Sequence, residues 1–215
     1  MINVFYGTIH LLQEPKIFEE FFSKMHPRRQ QKVLHCKNEK DKCASLLAGI
    51  LCKYGLEQQG FVYQDIIIKE QQHGKPFIAN QKDVFFTISH SGENVVCAFS
   101  DKNIGIDIEN RKRMLFNKKK DSLERVAKRC FSVQEYSLYE NSHEKEELFL
   151  KCWTRKESYS KADGRGIGMD FSKINVLSED MEKDFCSKWL TEESYLSIYQ
   201  KDICFEHIIF KEYKF

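Results

Sequence analysis

Several absences in this 215-residue chain narrow what it can be. Only 3 Pro and 10 Gly occur, which argues against long disordered linkers. No apolar run approaches the roughly eighteen residues that a membrane-spanning helix needs, so no membrane role is expected. An excess of one charge sign is missing too. The 34 basic and 32 acidic residues leave a net charge of +2, so no overall field favours nucleic acid. None of the eight cysteines, at 36, 43, 52, 97, 130, 152, 186 and 204, forms a C-x-x-C pair, and no signal peptide opens the chain. They read as reduced thiols in a cytoplasmic protein. What the chain does hold is aromatic surface. Its 17 Phe suit a well-packed globular protein, and its length suits one large domain or two small ones.

The most informative stretch is Ile104 to Glu109, Ile-Gly-Ile-Asp-Ile-Glu. On a strand the three isoleucines share one face, while Gly105, Asp107 and Glu109 share the other. Two carboxylates then stand about 7 Å apart on one face. That is unfavourable unless a positive group lies between them or water bathes both. Mg²⁺ suits the first case, because it takes hard oxygen ligands from one or two carboxylates plus substrate phosphates. A half-solvated strand is the second case, and both stand open here. Gly105 leaves room for a ligand or another backbone to come close.

Taken in order, Ile2 to Ile9 reads as a strand and Ile17 to Met25 as a short helix with Phe18, Phe21 and Phe22 inward. Pro27 starts another helix, on which Arg29 and Lys32 share a face, a surface pair or a phosphate contact. Asp41 to Tyr54 is an amphipathic helix with Leu46, Leu47, Ile50 and Leu51 in its stripe, Ser45 beside it, and Gly55 as its stop. Ile66 to Lys69 and Phe77-Ile78 read as extended, either side of the turn His73-Gly74-Lys75-Pro76. Val84 to Ser91 and Asn94 to Ser100 form a hairpin. With Ile104 to Glu109 following closely, one antiparallel unit of three strands is expected. The basic tract Asn110 to Leu123 reads as a mobile loop, and Leu123 to Arg129 as a helix. Ser132 and Glu135 form a capping box, a signal repeated by Asn141 and Glu144. A long helix runs from about Glu144 to Asp163 and ends at Gly164. Strands are expected at Ile174 to Leu177, Ser194 to Tyr199 and Cys204 to Phe210.

On the long helix Trp153, Glu157 and Lys161 recur at i, i+4 and i+8, so they share one side. An exposed Glu-Lys pair is the plain reading. A partly buried one beside Trp153 needs partners, and it would add a third carboxylate and a cation to Asp107 and Glu109. Ser89 and His90 invite a hydrolase triad. However, adjacent strand residues face opposite ways and no G-x-S-x-G elbow exists.

In combination, Gly74-Lys75-Pro76, Phe86-Thr-Ile-Ser-His-Ser91, Ile104 to Glu109, Phe131-Ser-x-x-Glu135 and Trp153-Thr-x-Lys-Glu157-x-x-x-Lys161-x-x-Gly164-x-Gly166 resemble the 4′-phosphopantetheinyl transferases. The likeness is to the larger, monomeric kind that activates surfactin synthetase and other peptide and polyketide synthases. It runs in order from about Arg29 to Phe171.

The resemblance implies an α+β fold of two similar halves, 1–103 and 104–215, each with a small antiparallel sheet and helices, related by a pseudo-twofold axis. It implies transfer of the phosphopantetheine arm of coenzyme A to a serine of an apo acyl, peptidyl or aryl carrier protein, with Mg²⁺ as cofactor. Asp107, Glu109 and Glu157 would surround the metal, and Lys161 and His90 would contact the pyrophosphate. Arg29, Lys32, Ser45, Lys75, Pro76 and Ser89 would line the adenosine 3′-phosphate end. Glu157 is the candidate base, and Glu135 matches an acid placed near the metal. Arg111 to Lys120 is a candidate basic rim for an acidic carrier. Ala44 departs from the pattern, standing where many relatives carry Arg, and Arg29 replaces a lysine. The competing readings are a Mg²⁺-dependent phosphate-ester hydrolase and a non-catalytic carrier-binding module.

Overall fold

The structure, a computed structural model, describes residues 1–117 and 120–215. Its strands are β1 (Ile2–Thr8), β2 (Ile68–Glu70), β3 (Pro76–Ile78), β4 (Phe85–Ser91), β5 (Asn94–Ser100), β6 (Gly105–Asn110), β7 (Phe185–Thr191), β8 (Ser194–Tyr199) and β9 (Ile208–Glu212). Its helices are α1 (Pro15–Ser23), α2 (Pro27–Leu34), α3 (Glu39–Glu57), α4 (Arg111–Asn117), α5 (Lys120–Cys130), α6 (Val133–Asn141), α7 (Lys145–Asp163) and the single turn α8 (Glu179–Glu182). The fold is α+β.

Two sheets lie face to face, each covered outside by one helix of 19 residues. The first has the order β4-β5-β1-β9 and the second β6-β8-β7, with a small β2-β3 ladder apart. In the first sheet Phe5, Val95, Cys97 and Phe99 pack on Leu46, Leu47, Ile50 and Leu51 of α3. The alternate residues Val4, Val96 and Ala98 meet Ile104, just before β6, Ile106 and Ile108 of β6, and Leu196 and Ile198 of β8. β1 and β5 are thus apolar on both faces, which is why Val-Val-Cys-Ala-Phe shows no alternation. A third cluster joins α5, α6 and α7 through Leu123 and Ala127 of α5, Phe131 in the connection that follows, Tyr139 of α6, and Phe149 and Cys152 of α7.

Several local expectations are corrected. β6 does not extend the β4-β5 hairpin. It pairs with β8 in the other sheet, because its isoleucines seal the seam between the sheets. Gly55 does not stop α3, which runs on to Glu57; a Cβ there would lie 2.2 Å from the Phe99 ring, so the glycine serves packing. Part of the expected basic loop is α4, and 118 and 119 lie outside the described residues. Asn141 caps nothing and is the last residue of α6, whereas the Ser132-Glu135 capping box is present. Residues 174–177 form no strand, because the segment's backbone is held by side chains. Lys156 Nζ donates to the carbonyls of Phe171 and Ile174, and the N–H of Val176 donates to Glu135 Oε1. β7 was not expected. β9 pairs in parallel with β1, so the first sheet is mixed and the chain's last strand returns to the half that opened it.

Candidate active site

β6 and α7 meet at Gly105. A Cβ there would sit 1.8 Å from the carbonyl oxygen of Ser158, so only glycine lets the helix backbone rest on the strand. Gly105 shares its face with Asp107 and Glu109, and α7 therefore carries Trp153, Glu157 and Lys161 across those acids. Thr154 of α7 and Ser197 of β8 lock the register with a buried hydroxyl pair, 2.7 Å apart.

The acids are held from a third element. β4 is the edge of the first sheet and lies beside β6. Ser89 Oγ donates to Asp107 Oδ1 (2.8 Å), and Ser91 Oγ donates to Glu109 Oε2 (2.7 Å). The same two hydroxyls accept the backbone N–H groups of Ile108 (3.4 Å) and Asn110 (3.0 Å). They thereby satisfy the edge of β6 that faces away from β8. Lys161 Nζ donates to both Ser89 Oγ and Asp107 Oδ1, each at 2.7 Å. Trp153 Nε1–H donates to Glu109 Oε1 at 3.2 Å. Asp107 Oδ2, by contrast, is buried with no hydrogen-bond partner, a costly state for a carboxylate oxygen.

Charge crowding is evident. Burial, then the Asp107 carboxylate, pushes Glu157 up to about 7, with Lys161 pulling it down and Glu109 adding to the rise. Burial and Asp107 also raise Glu109, against the bonds from Ser91 and Trp153. Desolvation of its ring, followed by the Lys161 charge, holds His90 below the ordinary histidine value.

Beside these acids opens a cleft of about 430 Å³. Arg29 and Lys32 of α2, Ser45 of α3, Lys75 and Pro76, His90 of β4 and Lys161 of α7 all line it. Gly49 permits the Arg29 stem to cross α3, since a Cβ there would meet its Cγ at 2.8 Å. Lys75 Nζ donates to Asn103 Oδ1 and to the carbonyl of Ala162, both at 2.7 Å, near the C-terminal end of α7. Burial lowers Lys75 to about 8, and Asp163 opposes that shift. Lys32 is paired with Glu70.

Both halves match family models: residues 103–208 match the 4′-phosphopantetheinyl transferase superfamily, and residues 14–102 match the 4′-phosphopantetheinyl transferase N-terminal model. The chain is 33% identical over 207 residues to the 4′-phosphopantetheinyl transferase Sfp of Bacillus subtilis (strain 168), covering 90% of this chain and 88% of that protein.

The chain belongs to the 4′-phosphopantetheinyl transferase superfamily.

Other relatives agree. The 4′-phosphopantetheinyl transferase gsp of Aneurinibacillus migulanus is 32% identical over 170 residues, 78% of this chain and 68% of that one. The L-aminoadipate-semialdehyde dehydrogenase-phosphopantetheinyl transferase of Saccharomyces cerevisiae is 26% identical over 174 residues, 77% and 62% of the two chains. This chain is an enzyme that transfers phosphopantetheine to carrier proteins.

In this transferase Asp107, Glu109, Glu157 and Lys161 come together, and seven of the eight anticipated cofactor residues line one cleft. Ser89 is the exception. It is buried, and its hydroxyl is engaged by Asp107 and Lys161 rather than turned to the cleft. Glu135, matched to an acid near the metal, has its carboxylate turned to structural partners. It is fully buried, pairs with Lys156 at 2.7 Å, and accepts from the N–H groups of Ser132 and Val176. Both of its oxygens are thus committed to structure. Sequence reading missed three contributors: Ser91, the indole of Trp153 as a donor, and Asn103. A signal for Ser91 existed, since Ser89 and Ser91 are spaced as Asp107 and Glu109 are.

Proposed function

We propose that the phosphopantetheine donor is coenzyme A, that the acceptor is a serine of an apo acyl, peptidyl or aryl carrier domain, and that Asp107, Glu109 and Glu157 hold Mg²⁺. The observation that carries this reading is the partnerless, buried Oδ2 of Asp107, flanked by two acids whose proton affinities are raised and opening beside a cationic cleft. Among the described residues no three His, Cys, Asp or Glu side chains already stand as an ion cage. The donor chemistry nevertheless fits a hard dication: oxygen ligands only, excess negative charge, and one oxygen without a hydrogen bond. When bound, Mg²⁺ would act as a Lewis acid that neutralises pyrophosphate charge.

The chain's own groups would act as follows. Arg29, Lys32 and Lys75 bind the nucleotide end of coenzyme A, with Ser45 and Pro76 shaping the wall. Lys161, anchored on Asp107 and Ser89, and His90 at the cleft's rim face the pyrophosphate. Glu157, near neutrality in its proton affinity, takes the proton of the carrier serine. The serine oxygen bonds to the β-phosphorus as the phosphorus–oxygen bond to adenosine 3′,5′-bisphosphate breaks. Among the described residues no helix is long and apolar enough to cross a membrane. The reading takes the working unit to be a cytoplasmic monomer.

Incubation with coenzyme A, MgCl₂ and an apo carrier, followed by intact-mass measurement, tests it. The expected result is a gain of one phosphopantetheine on the carrier serine. No gain across acyl and peptidyl carriers overturns the reading, and release of inorganic phosphate from nucleotides would favour a hydrolase instead.

A further inference from the structure

Two serines on β4 repeat one device. Each donates its hydroxyl hydrogen to an acid of β6 and accepts the N–H of the residue after that acid: Ser89 with Asp107 and Ile108, Ser91 with Glu109 and Asn110. Ser91 is 1% exposed, so its hydroxyl has no water to fall back on. In both brackets the serine takes one carboxylate oxygen. The second oxygen of Asp107 has no hydrogen bond, and that of Glu109 is aimed by the indole N–H of Trp153.

We propose that Ser91 is a positioning residue: its hydroxyl, reaching over from the N-terminal half, fixes Glu109 so that the two acids of β6 each turn one oxygen to a shared divalent cation. The inference rests on the Mg²⁺ reading above and deepens it. A strand residue one position further along would face away, and a shorter side chain would leave both Glu109 Oε2 and the Asn110 N–H without this partner. Partners that orient metal-binding side chains from outside typically set affinity by about 10- to 100-fold. The arrangement also means that neither half holds its acids in order alone. The carboxylates come from one half and the hydroxyls that aim them from the other.

The test compares Ser91→Thr, which keeps the hydroxyl, with Ser91→Val, which has the same shape without it. MgCl₂ is titrated into each chain saturated with coenzyme A, with no carrier present, and the heat of binding is followed. Ser91→Val is expected to bind Mg²⁺ about tenfold more weakly or worse, and Ser91→Thr to stay close to the parent chain. Ser91→Ala serves as the hydroxyl-free variant if the valine chain does not fold. A second readout uses Trp153 emission in a Trp189→Phe background, where Trp153 is the only indole of the chain's two Trp. Its Mg²⁺ response should move to higher concentration when the hydroxyl is absent.

Equal Mg²⁺ uptake by Ser91→Val and the parent chain overturns the inference while leaving the Mg²⁺ reading intact. So does a threonine variant that falls as far as the valine one. A parent chain that takes up no Mg²⁺ with coenzyme A bound overturns the Mg²⁺ reading itself.

Discussion

The two walls of the site are built from opposite charges by the same means. On the N-terminal side Arg29 leans on the carbonyl of Ser45, at 3.4 Å, and Lys75 on Asn103 and a helix carbonyl. On the C-terminal side the acids Asp107 and Glu109 lean on serine hydroxyls and an indole. For Arg29, Lys75 and Glu109 these neutral partners fix direction without cancelling charge, where an ion pair would have spent the field on its partner. Asp107, which also meets Lys161, and Lys32, which pairs with Glu70, are partly neutralised. Elsewhere in the molecule charge is cancelled outright, as in the buried Glu135–Lys156 pair, where both side chains are 0% exposed. The difference separates charges kept for a ligand from charges consumed by structure.

Asp107→Ala removes one acid of the C-terminal wall outright. If the acidic wall carries the chemistry, turnover should fall on the order of a thousandfold, while the unfolding midpoint moves by only a few degrees. Carrier modification rates and a thermal melt check both, and activity within tenfold of the parent chain would remove Asp107 from the reaction.

The two packing glycines, Gly105 and Gly55, face different obstacles. In Gly105→Ala the new Cβ meets a helix carbonyl, and in Gly55→Ala it meets the rim of the Phe99 ring. A ring can turn and a helix backbone cannot. Gly105→Ala should therefore cost more than about 3 kcal/mol and Gly55→Ala about 1–3 kcal/mol, both read from urea unfolding. Equal losses would show that the two helices are seated with equal freedom.

The smallest effect concerns pH. With Lys75 lowered to about 8, it is charged below that value and loses its proton above it. The KM for coenzyme A should thus rise up to about tenfold as pH climbs from 7.5 to 9.5. Lys75→Arg, which does not titrate there, should flatten the rise, and an unchanged slope would take Lys75 out of binding. The stability effect runs the same direction on the pH axis with opposite benefit: folding disfavours the charged lysine, so that penalty is relieved as pH rises past 8.

Much of the site could be read before the fold was known, because its signals are local. The alternation in Ile104 to Glu109 has period two, and Trp153, Glu157 and Lys161 follow the helical repeat, so each set predicts its own face. The cleft residues came from motifs whose order matches a family. What escaped depends on contacts distant in sequence. Which strand β6 pairs with is settled by β8, almost ninety positions later. Glu135 looks the same in sequence whether it faces a metal or Lys156, and only the buried lysine decides. The segment 174–177 has strand-like residues, yet its backbone groups are captured by side chains on α6 and α7. Gly55 reads as a terminator because sequence spacing does not reveal the ring waiting above it.

The parallel pairing of β9 with β1 has a consequence for folding. Ile208–Glu212 pair with Ile2 to Tyr6, and until that distant segment docks, this part of β1 has an unprotected flank. Docking of β9 would therefore be the event that closes the first sheet. A chain truncated before Ile208 should be cut by protease within β1, whereas the 215-residue chain resists.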